Sequence, residues 1–425
     1  MHGPAVLDRV AREEGGRIIA TLIRHVGGDF ALAEDALQDA YAVAAATWGT
    51  GNGAVPDNPG AWLTTTARRR AIDRLRRARA LDDRIRVLEA LAAREAAAPE
   101  DDEEEEMESS LHDDRLRLLF TCCHPALPLE ARVALTLKSL GGLTTGEVAR
   151  AFLLSEVAMH QRLTRARRKI ADKGIPYRVP PDELLPERLA GVLAVVYLIF
   201  NEGHTAAGGP RLVRDELCTE AVRLGRLLAG LMPDEPEALG LLALMLLTDA
   251  RRAARVDAQG RAVGLADQDR GRWDAEAIGE GAALLDRALR MARPGPYQLQ
   301  AAIAALHATA PNWGATDWAQ IAALYGALAA HDPSPVVTVN RAVAVGFAHG
   351  PQAGLDLLRA LDGDPSLDGY VPLHAARAEL LSRAGDGRGA DAAYACAIAA
   401  TGNMVQRAEL EARRAAAAAP RRPSA

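Results

Sequence analysis

The chain has 425 residues, 49% of them hydrophobic and 4% aromatic, and a formal net charge of −6. That length predicts two or three domains, and abundant Ala and Leu with few alternating β-branched runs predict an all-α protein. No stretch of about 18 residues is free of charge and polar breaks, and the apolar runs 189–200 and 239–247 are too short to span a bilayer, so no membrane partner and a cytoplasmic location are expected.

The net charge conceals strong local charge. Residues 61–98 hold ten Arg against five acids, residues 143–179 hold eight basic residues against three acids, and residues 99–110 hold eight acids and no base. A polyanion meets these patches and not the average.

A first helix is predicted over 5–26, with Ile18, Ile19, Leu22, Ile23 and Val26 inward and Gly27-Gly28 ending it. Asp29 caps a second, FALAEDALQDAYAVAAATW, whose apolar stripe is Leu32, Ala36, Ala40, Tyr41, Ala44 and Trp48. Its Glu34, Asp35, Gln38 and Asp39 form an acidic ridge suited to a basic partner helix. The loop 49–60 leads into a third helix with Trp62, Leu63, Ala67, Ile72 and Leu75 facing the core. That helix carries Arg68, Arg69, Arg70, Arg74, Arg76, Arg77 and Arg79 against the single Asp73. Such a surface repels itself and calls for an anionic polymer.

PEDDEEEEMESS is acidic and of low complexity, so residues 81–110 read as a flexible linker. Two helices follow over 111–140, with Leu111, Leu116, Leu119 and Phe120 inside. The four cysteines (Cys122, Cys123, Cys218 and Cys396) lack CxxC spacing, and no second ligand pair follows Cys122-Cys123-His124. Buried reduced thiols are expected, with no metal and no cofactor.

Residues 143–170 read as a helix-turn-helix. Thr144 and Glu147 form a capping box that starts a helix near Thr145 with Val148, Ala151 and Phe152 on its apolar face. Leu153 and Leu154 lie at the turn. Ser155 caps the second helix, in which Met159, Leu163, Ala166 and Ile170 make one buried seam. His160, Gln161, Thr164, Arg165 and Arg168 lie on the other side, an arrangement suited to a DNA major groove and equally to a solvated basic helix.

The acidic AEDALQDAY helix, PGAWLTTTARRRAIDRLRR, the acidic linker and a helix-turn-helix ending RLTRARRKI, in that order, resemble an extracytoplasmic-function (ECF) sigma factor of RNA polymerase. The resemblance implies a region 2 at 5–80, an acidic linker at 81–110 and a region 4 at 111–175. It implies that Glu34, Asp35, Gln38 and Asp39 dock on the clamp helices of the polymerase β′ subunit, with the β flap as a further contact. Arg68 to Arg79 would lie along the −10 promoter element, and loop 49–60 would capture an unstacked base. Trp62 packs in the core or stacks on a base. The DNA-binding set of region 4 would be Thr144, Thr145, Ser155, His160, Gln161, Arg162, Thr164, Arg165 and Arg168, on the −35 element. Of these, His160, Gln161, Thr164 and Arg165 read bases, while Arg167, Arg168 and Lys169 hold phosphate.

Residues 180–415 are predicted to be helical, followed by a disordered tail at 416–425. Pro294, Pro333 and Pro365 follow apolar helices, Leu285, Tyr325, Leu357 and Tyr394 recur at similar places, and Ala378, Ala390, Tyr394 and Ala397 have tetratricopeptide spacing. This extension resembles that of a sigma-factor subgroup with a C-terminal tetratricopeptide-like domain. Four stretches stand out: YLIFNEGH at 197–204, LLTDARRAAR at 246–255, LADQDRGRW at 265–273 and GPYQLQAAIAALHA at 295–308. Glu202, His204, Asp249 and Asp267 show no catalytic spacing, and Arg251, Arg252 and Arg270 offer ready ion-pair partners, so a buried polar network is expected and not an enzyme. An intramolecular contact with region 4 is a further expectation, because 171–182 is a short linker with three Pro. The alternative function is a helix-turn-helix regulator fused to a peptide-binding helical scaffold.

Overall fold

The structure, a computed structural model, describes residues 3–48, 55–83, 114–152, 154–181 and 183–418. Residues 49–54 of loop 49–60, the acidic run 99–110, Leu111, Leu153 and the last seven residues lie outside the described residues, as do the side chains of Arg77 and Arg79. The described chain is all-α apart from one two-residue strand pair, and it divides into two compact units, Met1–Val196 and Tyr197–Ala425.

Unit 1 begins with α1 (Gly3–His25), α2 (Phe30–Thr47) and α3 (Pro59–Asp83). Gly27 and Gly28 turn the chain at φ of 70° and 94°, where a side chain would be strained. Asp29 caps α2 by accepting from the Leu32 amide at 3.0 Å. Leu32 and Tyr41 are only half-buried, and Ala33 and Leu37 take interior places. On α3 the buried positions Leu63, Ala67 and Ala71 are four apart, so Ile72, one position round from that row, is 38% exposed. Trp62 packs edge-on against Trp48, centroids 5.3 Å apart.

The second part of unit 1 holds α4 (114–122), α5 (Leu129–Ser139), α6 (Thr145–Ala151) and α7 (Glu156–Asp172). Leu118, Leu119, Phe120, Cys122 and Cys123 fill the interior, and Leu116 is half-buried. Burial pushes the Cys123 thiol up to about 11, so it stays protonated. α8 (Leu185–His204) crosses the unit boundary, and its first turn stays with unit 1 through Arg188, which donates to the Phe120 carbonyl at 2.6 Å.

Three contacts lock the two parts of unit 1 together. A Cβ on Gly16 of α1 would stand 2.7 Å from the Leu140 carbonyl, so only glycine permits that approach. Asp114, wholly buried, takes Arg24 of α1 at 2.8 Å and its own neighbour Arg117 at 3.3 Å. Tyr177, within the expected linker, donates its hydroxyl to the carbonyls of Ala20 at 2.8 Å and Asp114 at 3.0 Å and meets Phe30 edge-on. The segment after α7 is therefore a clasp in unit 1.

Unit 2 continues through α9 (Asp215–Leu231), α10 (Pro236–Asp249), α11 (Ala275–Arg290), α12 (Pro296–Thr309), α13 (Trp318–His331), α14 (Pro335–His349), α15 (Pro351–Arg359), α16 (Val371–Ala384), α17 (Gly387–Ala400) and α18 (Met404–Ala418). Each helix packs on its sequence neighbours in a solenoid-like succession. Leu285 and Tyr394 sit in local cores, the latter with Ala378, Ala393, Ala397 and Leu410. β1 (Gly208–Gly209) pairs in parallel with β2 (Gly402–Asn403), and buried Asn403 donates to the carbonyls of Ala206 and Arg211 at 3.0 and 2.8 Å. Nothing in the local sequence foretells this tie.

Tyr177→Phe removes two hydrogen bonds at the clasp and keeps the ring. We expect a loss of about 1–2 kcal/mol in unfolding free energy, read by denaturant melts with unchanged far-UV circular dichroism. Unaltered stability would show that the hydroxyl does not hold the two parts.

Candidate nucleic-acid interface

The helix-turn-helix forms from local signals. The capping box closes with the Thr144 amide donating to Glu147 Oε2 at 2.7 Å and the Glu147 amide donating to Thr144 Oγ1 at 3.1 Å. Ser155 Oγ accepts from the Ala158 amide at 3.2 Å and so starts α7. Met159, Leu163, Ala166 and Ile170 are each at most 4% exposed. Opposite them His160, Gln161, Thr164, Arg165 and Arg168 face solvent. Arg165 Nε donates to the Gln161 carbonyl at 3.3 Å, and Arg168 is 3.4 Å from Asp172. Both cations remain largely exposed and available to bases or phosphate.

The other residues expected on this surface have structural work. Thr144 and Ser155 commit side-chain oxygens to caps. Thr145 is half-buried. Arg162 is half-buried with its guanidinium 5.4 Å from the centre of the Phe152 ring. Phe152 itself is half-buried, and Val148 and Ala149 form the buried face of α6.

On α3, Arg68, Arg69, Arg70 and Arg76 are exposed. Arg74 is different. It donates to Asp39 Oδ2 at 2.8 Å through Nη2 and to Asp35 Oδ2 at 2.9 Å through Nη1. Carboxylates four apart on α2 thus share one guanidinium from α3, and ridge and arginine track meet at that point. Gln38 is exposed between them.

Glu34 is withdrawn from the ridge. It accepts from Arg167 Nη2 of α7 at 2.7 Å, and the two side chains keep 21% and 15% of their exposure. Burial raises the Glu34 carboxyl, against the pull of Arg167 and Lys138. Burial lowers Lys138, against Glu34. Arg167, expected on phosphate, is therefore occupied across the unit. Local periodicity gave no signal for this pair: it joins residues 133 apart in sequence.

The sequence matches known families. Residues 13–81 match the family model Sigma-70 region 2, and residues 117–170 match Sigma-70, region 4. Residues 188–289 match a family of unknown function (DUF6596). An uncharacterized protein of Rhizobium meliloti (strain 1021) is 45% identical over 385 residues, which cover 88% of this chain and 86% of that protein. No solved structure matches. No described helix is long and apolar enough to cross a membrane. The chain belongs to one family with the Rhizobium meliloti protein, and its two sigma-70 regions make it a sigma factor of the ECF/sigma-70 type, a partner of core RNA polymerase and promoter DNA in transcription initiation.

Proposed function

We propose that α7 reads the −35 element, that the arginine track of α3 lies along the −10 element and helps melt it, and that the ridge of α2 docks on the β′ clamp helices. The observation that carries this reading is the two-sided α7, with a sealed apolar seam and a polar face of His160, Gln161, Thr164 and Arg165. Those four sit where a recognition helix meets base edges, and Arg168 sits where it meets phosphate. The chain acts as a cytoplasmic specificity subunit with no catalytic chemistry of its own, and the β flap receives region 4. The helical unit 2, read as tetratricopeptide-like, regulates that activity.

Engagement of both elements requires opening. The −10 and −35 elements are about 25 base pairs apart, roughly 85 Å along a duplex. Glu34 and Arg167 are 2.7 Å apart. Both modules cannot occupy both elements and keep this contact, the Tyr177 clasp, the Arg24–Asp114 pair and the Gly16–Leu140 approach, so opening breaks all four. Opening also frees Glu34 for the polymerase and Arg167 for phosphate.

Two outcomes test the reading. Asp35→Lys with Asp39→Lys should abolish co-purification with core polymerase while circular dichroism stays native, since each charge-assisted contact at a docking surface contributes roughly 1.5–3 kcal/mol. Retention of the double variant at the parent's level would refute the docking surface. Arg165→Ala should change base preference in a randomised −35 element, whereas Arg168→Ala should weaken all sequences alike and reduce the salt dependence by about one phosphate contact. The reverse pattern would overturn the division of roles on α7.

A further inference from the structure

Unit 2 brings the four unusual stretches together around a group of cations in which Arg252 and Arg255 have acids nearby, while Arg251 and Arg270 have no ion pair among the described residues. α8 ends at His204, α10 runs on into Arg251, Arg252 and Arg255, and Arg270 and His307 complete the group. Arg252 is satisfied by Asp249. Asp267, by contrast, forms no ion pair with Arg251 or Arg270 among the described residues, and the expected pairing of those two arginines with acids does not occur.

Arg255 is 8% exposed and donates to the His204 carbonyl and to Thr205 Oγ1. Arg270 donates through Nη1 to the carbonyls of His307 and Ala310, each at 2.8 Å, and lies 4.3 Å from the centre of the Trp273 ring. Its Nη2 is buried without a partner, as are His204 Nε2, His307 Nδ1 and Trp273 Nε1. Arg251, half-buried just after α10, lies within electrostatic reach of both imidazoles. Burial lowers it to about 9, and the neighbour that adds to the shift is Arg255. Burial lowers His307 to about 4, with Arg251 and Arg270 pushing the same way. Burial lowers His204 too, helped by Arg255, Arg251 and Arg252. Arg251 thus acts on both imidazoles.

Buried charge without a partner is costly, and so is a buried donor without an acceptor. One small anion would relieve both. Its oxygens would accept from guanidinium and imidazole, and its charge would offset the cations. The neighbouring cleft, about 680 Å³, does not share this imbalance: Arg211, Arg252 and Arg272 face Asp215, Asp249 and Asp274.

We propose that Arg251, Arg255, Arg270, His204 and His307 form a binding site for a small oxyanion, a phosphate or a carboxylate. The ligand would tie the ends of α8, α10 and α12 together and tighten unit 2. This inference is independent of the promoter reading.

The test is thermal melting of the full chain in sodium phosphate or sodium succinate, with ionic strength held constant by sodium chloride. Saturable stabilisation is expected with at least one anion, roughly 5 °C at a hundred-fold excess over Kd. Phosphate alone or succinate alone would identify the headgroup. Arg251→Gln and His307→Asn, each with native circular dichroism, should abolish the shift. Without anion, Arg251→Gln should melt no lower than the parent, because it removes an uncompensated cation. No saturable shift with either anion would overturn the site, as would an equal shift in whichever of the two variants folds.

Discussion

One ion pair ties the acidic ridge to the recognition helix, beside three firmer contacts that hold the same two parts of unit 1 together. Glu34 of α2 and Arg167 of α7 meet at 2.7 Å with most of their surface withdrawn from water. Desolvation of two charges costs several kcal/mol, which Coulomb attraction and hydrogen bonding roughly return. The net stabilisation is therefore small, while the geometric specification is strong. A pair of this kind sets register without locking the state, which suits a protein that must come apart on its promoter. The Arg74 bridge to Asp35 and Asp39 has the same character at a more exposed site. In both cases a residue of the docking ridge is held by a cation that nucleic acid also needs.

The remaining contacts of unit 1 are of another sort. The clasp of Tyr177, the wholly buried Asp114 and the close approach of Gly16 to Leu140 are packed and hydrogen-bonded on several sides. Loss of any one leaves a mismatched interior, so these contacts cost more to break than the ion pairs. The arrangement divides unit 1 into a firm side near α1 and α4 and an electrostatic side near α2 and α7.

Local signals made much of the fold legible. The capping box of Thr144 and Glu147, the Ser155 cap and the four-residue seam of α7 are short-range features, and the structure holds each as the spacing implies. The face of α3 was less legible, because Ile72 is apolar yet lies one position beyond the buried row of Leu63, Ala67 and Ala71. What the sequence did not disclose is long-range. Arg74 with Asp35, Arg167 with Glu34 and Asn403 with the Ala206 carbonyl join residues 39, 133 and 197 apart. No periodicity encodes which guanidinium finds which carboxylate. Arg251, Arg252 and Arg270 make the same point: their charge predicted acidic partners, and among the described residues only Arg252 of the three has an ion pair.

The distance between α2 and α7 separates the closed state of unit 1 from the open one most directly. Spin labels on Ala31→Cys and Ala171→Cys, exposed about one turn from Glu34 and Arg167, with the exposed Cys396 replaced by Ser, report that distance by pulsed electron spin resonance. In the free protein a single short distance is expected. In a complex with core polymerase and promoter DNA it should lengthen to tens of ångströms, approaching the roughly 85 Å between the two elements. A distance that stays short in a complex competent for transcription would contradict the opening of unit 1 and the roles assigned to its two faces.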